Sequence, residues 1–87
     1  MAYNQVAIVA RHLSEAVRWA QEKGYTMFSS TMWRDELGRM QCYVKDREDA
    51  LKMDPVLVIA LPSASHNMQY YQILEIFTNK NVPITYL

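Results

Sequence analysis

The sequence predicts a small three-layer α/β domain: a mostly parallel sheet of four to five strands with helices on its faces. Three observations predict it. The first is Val56-Leu57-Val58-Ile59-Ala60-Leu61, an apolar run opened by Asp54-Pro55 and closed by Pro62-Ser63. Its length and β-branched content suit a strand. An unbroken apolar strand is covered on both faces, so this run belongs in the middle of the sheet. The second is the run at residues 5–10, expected to lie beside it. The third is the alternation of such runs with helical periodicity, which yields right-handed crossovers.

The elements follow in order. Arg11-His12 ends the first strand. Ser14 is placed to cap the next helix. Leu13, Ala16, Val17 and Ala20 form its apolar stripe, with Arg18, Gln21 and Glu22 on the opposite side. Gly24 stands where a left-handed residue ends a helix. Residues 25–45 admit two readings. In the favoured one, Tyr25-Thr26-Met27-Phe28 begins a strand that runs on to Trp33, Asp35-Glu36-Leu37-Gly38 turns, and residues 40–44 return as a hairpin partner. In the other, the second strand is short and residues 30–45 form an irregular crossover. Residues 46–53 read as a short helix capped by Asp46, with acidic residues in its first turn. Asp54-Pro55 stops it and launches the central strand. Ser65 is expected to cap a helix over residues 66–78, with Tyr70, Ile73, Leu74 and Phe77 inward. Asn81 closes it in the left-handed conformation. Residues 82–87 form a last strand at a sheet edge, since Pro83 lacks a ladder donor. The order β-α-β-(β)-α-β-α-β resembles a reduced doubly wound layout, flavodoxin-like or Rossmann-like.

The 87 residues make one domain, residues 1–87, with no internal repeat. Nine basic and nine acidic side chains cancel, which argues against a nucleic-acid partner or an acidic membrane. Cys42 is the sole cysteine, so no internal disulfide forms, as expected in a reducing compartment. With no leader pattern and no run near the roughly 20 residues that span a bilayer, the expected location is the cytoplasm.

In open α/β sheets, ligands sit beyond the carboxyl ends of the strands. Two loops there carry polar side chains: Arg11, His12 and Ser14 in one, Ser63, Ser65, His66 and Asn67 in the other. If the two apolar strands are neighbours, these loops face each other, and the set would suit a phosphate or carboxylate. Against this, the chain has only Gly24 and Gly38, and neither lies in these loops. Nucleotide cradles need glycine so that backbone can approach phosphate. No spacing of His and Cys suggests a metal, and none of the residues is assigned a catalytic role or a cofactor. Cys42 reads as a small core residue, and Asp35 and Glu36 as solvated turn residues.

The apolar surplus points elsewhere. Six methionines and six tyrosines in so short a chain are the residue types enriched at protein contacts. The expected function is a non-catalytic binding protein acting on a partner protein, as an accessory or inhibitor of the kind phages use against host proteins, with a homodimer also open. Trp19, Trp33, Tyr70 and Tyr71 are the expected contact residues. The alternative is a domain that binds a phosphate-bearing metabolite or nucleotide at the strand ends.

Overall fold

A computed structural model describes residues 4–65 and 67–87. Its strands are β1 (Gln5–Val9), β2 (Thr26–Ser29), β3 (Met32–Arg34), β4 (Met40–Val44), β5 (Leu57–Ala60) and β6 (Ile84–Tyr86). Its helices are α1 (Leu13–Glu22), α2 (Arg47–Lys52), α3 (Pro62–Ser65) and α4 (Tyr71–Asn79), with a 3-10 turn at Met68–Tyr70 before the last. The first residue of the helix expected at 66–78, His66, lies outside the described residues. Among the described residues, no helix is long and apolar enough to cross a membrane.

One sheet runs in the order β2-β3-β4-β1-β5-β6. β4, β1, β5 and β6 are parallel; β2 and β3 extend the β4 side antiparallel. The domain is therefore α/β, with a mixed sheet of six strands instead of four to five. The extra strand comes from a break the sequence reading ran through. The expected strand from Tyr25 to Trp33 is split at Ser30-Thr31, where the Ser29 hydroxyl accepts from the Thr31 amide at 3.3 Å. Serine and threonine side chains compete in this way with ladder hydrogen bonds.

The core has two layers because β1 faces both. Val6 and Ile8 meet Ala16 and Ala20 of α1, with Trp33 and Leu61. Ala7 and Val9 meet Val44, Val58 and Ala60, covered by Ile73, Leu74 and Phe77 of α4 and Ala50 of α2. The run at 56–61 does lie inside the sheet, between β1 and β6. It is not the more buried strand, however. Leu57 and Ile59 are half-buried, whereas β1 is fully buried from Val6 onward. A helix is about 10 Å across, so α1 alone covers about two strands of its face at roughly 4.8 Å each.

The local stops are chemical. Gly24 takes φ +76°, its amide donates to the Gln21 carbonyl and that of Tyr25 to Ala20, the paired bonds of a left-handed helix end. Asn81, at φ +62°, repeats the arrangement with Thr78 and with Val82 donating to Phe77. Asp46 caps α2, accepting from the Asp49 amide at 2.9 Å. Ser14 caps nothing. The helix begins at Leu13 with His12 in the cap position and no side-chain cap, which leaves Ser14 exposed in the first turn.

Candidate functional site

β1 and β5 pair in parallel from Val6↔Leu57 to Val9↔Ala60, so their carboxyl ends emerge together. The chain leaving β1 runs through α1 to β2 on one side, and the chain leaving β5 goes to β6 on the other. Such a divergence is where open α/β sheets hold ligands. The loops meet there. The Arg11 amide donates to Ser63 Oγ at 2.8 Å, and Ser63 Oγ donates to Glu15 Oε1 at 2.6 Å.

The contact consumes the groups that would greet a ligand. Ser63 has both roles filled, and Glu15 places a carboxylate in the first turn of α1, where a bound phosphate would otherwise sit. Ser65 is drawn away, donating to the Leu87 carbonyl at 3.0 Å and the Pro62 carbonyl at 3.4 Å. It therefore ties down the last strand and does not cap a long helix. The Asn67 side chain caps the 3-10 turn, accepting from the Gln69 amide at 2.9 Å. Arg11, His12 and Ser14 are exposed. His66 is outside the described residues. Of the expected set, then, the fold joins Arg11 and Ser63, adds Glu15, and gives Ser65 and Asn67 structural work. Glu15 carries no signal in sequence, because its partner lies 48 positions away.

A second surface lies at the hairpin end of the sheet. Facing residues in register share a face. Gln5↔Met40, Arg34↔Met40 and Met32↔Cys42 put Gln5, Met40, Arg34, Met32 and Cys42 on the α2/α4 side. Among the described residues, the core beneath those helices takes in Val44 of β4 and no residue of β2 or β3. Gln5, Phe28, Met32 and Met40 line a cleft of about 250 Å³. Phe28 is 63% exposed and Met27, on the opposite face of the strand, 54%. The Arg34 guanidinium lies over the Phe28 ring, 5.8 Å from its centroid, and forms no salt bridge among the described residues.

The turn behind this surface is fixed by Asp35. Its Oδ1 accepts from the Leu37 and Arg39 amides at 2.9 and 2.8 Å, its Oδ2 from Arg39 Nε and Gln41 Nε2 at 2.9 Å each. Asp35 is buried, not the solvated turn residue expected. Burial pushes its carboxyl up, and this is outweighed by the bonds from Arg39 and Leu37 and the Arg39 charge, so its pKa falls below the usual value. Cys42 is buried as expected, and burial raises its thiol.

The expected contact residues divide. Trp33 is 1% exposed and belongs to the core under α1, out of a partner's reach. Trp19 is half-buried, edge-on to Tyr25 with ring centroids 5.5 Å apart. Tyr70 is half-buried against the core. Tyr71 is exposed, beside Leu74, Glu75, Thr78 and the exposed Tyr86. Sequence reasoning noted Met32 only as flanking a turn and missed Phe28 and Met40. Their apolar character was visible, but the face each takes depends on strand pairing: β2 with β3 for Phe28, and β4 with β1 and β3 for Met40. Comparisons with protein-family models, with curated proteins and with solved structures find no match to this chain.

Proposed function

We propose that this chain is a non-catalytic binding protein whose hairpin end, β2-β3-β4, docks on a partner protein. One observation carries the reading: Phe28, Met32 and Met40 form an apolar cleft on a part of the sheet that none of the described helices covers. Isolated exposed apolar side chains are ordinary, whereas neighbouring ones gathered on one face supply the kind of surface that contacts use. Arg34 at its margin adds a residue type enriched at such contacts. The buried Asp35 cluster holds the hairpin in one shape, so little ordering is left for the moment of binding. Tyr71 and Tyr86, at the far end of the sheet, offer a smaller surface.

The small-ligand alternative has less behind it. The Ser63 hydroxyl is engaged by the Arg11 main-chain amide and by Glu15, and the Glu15 carboxylate opposes an anion. The two readings separate in one pair of measurements. Immobilised protein is challenged with extract of the cells it comes from, alongside Phe28→Ser and Arg11→Ala. The reading expects a retained protein that Phe28→Ser loses and Arg11→Ala keeps. A melting-temperature rise with inorganic phosphate or nucleotides that Arg11→Ala abolishes would favour the strand-end loops instead.

A further inference from the structure

We infer that the segment docking here is an extended peptide strand that adds to β2, with an apolar side chain in the Phe28-Met32-Met40 cleft and a carboxylate on Arg34. The inference rests on the reading of the chain as a partner-binding protein. β2 is the last strand on its side of the sheet, so one row of its backbone groups has no strand partner among the described residues. Such an edge pairs readily with another extended chain. All four of its residues are exposed, and Thr26-Met27-Phe28-Ser29 contains neither the lysine nor the proline that commonly blocks an edge. The bulge between Met27 and Ser29 restricts regular pairing to a short stretch. The main chain alone would therefore hold a partner weakly, and the cleft and Arg34 have to supply the rest.

Charge decides the occupant. Arg34 belongs to β3 but reaches over Phe28 on β2, which brings its guanidinium to the open edge. A carboxylate on an added strand would meet it there. A second copy of this chain would bring a second Arg34 to the same twofold junction, where like charges repel.

The test is selection from a displayed library of random short peptides against the intact chain, followed by synthesis of the enriched sequences. Phe28 and Arg34 are exposed, so Phe28→Ser and Arg34→Glu keep the fold, which thermal melting verifies. The expected peptides pair an apolar residue with Asp or Glu. Arg34→Glu weakens them about tenfold, the order of one charge-assisted contact. Exchanging the peptide's acid for lysine restores binding to that variant, and β2 amide resonances shift while those of α1 do not. No enrichment, enrichment of basic peptides, or binding indifferent to both variants overturns the inference. So does a dimer in sedimentation that Phe28→Ser dissociates, which would give the face to a second copy. If peptides fail while a photo-crosslinker at position 28 still captures a folded protein that Arg34→Glu loses, the peptide strand is wrong and the partner-binding reading stands. If both fail, both readings fall.

Discussion

The Asp35 carboxylate accepts four hydrogen bonds within its own hairpin and is almost wholly buried. Asp35→Asn keeps the shape and replaces an acceptor with a donor facing donors. It should cost about 2 kcal/mol, in the range for buried hydrogen bonds to a charged group, read by urea unfolding. The sign of the pH dependence follows from the lowered pKa. The folded carboxyl titrates below its ordinary value of 3.8, so its contribution is complete above that value and is lost as pH falls below it. Wild type should lose stability on acidification through that window, and Asp35→Asn should show less of the loss. Lys80 is a second such residue. Its ammonium donates to the carbonyls of Ala50, Leu51 and Met53, filling the open carbonyl end of α2. Lys80→Met should cost on the order of 1 kcal/mol and loosen α2 in hydrogen exchange. At this scale the sequence was legible where chemistry is local: Asp46, Gly24 and Asn81 act within a few residues. Lys80 acts across about thirty positions and Glu15 on Ser63 across 48, and nothing local marks either pair.

Elements built on continuous apolar runs were legible for the same reason. β1 and β5 announce themselves because residues 6–9 and 57–60 are unbroken apolar runs, as strands inside a sheet tend to be. The hairpin was legible only in outline. Gly38 at φ +78° marked the turn into β4, but the break at Ser30-Thr31 did not show, since hydroxyl residues serve equally in strands and turns. Trp33 was expected outside because it flanks a turn and is a residue type enriched at contacts; its pairing with Gln41 puts it on the α1 side, and Phe28 projects to the opposite face. Two outcomes follow. Gly24→Ala meets no neighbouring atom, so its cost is the left-handed backbone alone, about 1 kcal/mol. In native-state hydrogen exchange, β1 amides should open only with the whole molecule and β2 amides should be least protected among the strands, because one is buried on both faces and the other is exposed throughout.

For the whole molecule, α2, the single-turn α3 and α4 on one face and α1 on the other do not, among the described residues, roof all six strands. The layers and the adjacency of the two apolar strands could be read in advance; which end stays bare could not, because it depends on where the helices land. The bare end carries Phe28, Met32, Met40 and Arg34, while in the loops that looked functional in sequence Ser63 is tied to the Arg11 main chain and to Glu15. The direct test is a photo-crosslinking amino acid placed at position 28 in the cells that make the protein, with position 18 on the exposed side of α1 as control. The account predicts a discrete crosslinked species from position 28, absent from position 18 and lost when Arg34 is changed to Glu. Equal labelling from both positions, or none from position 28 under conditions where the protein is folded and abundant, would contradict it.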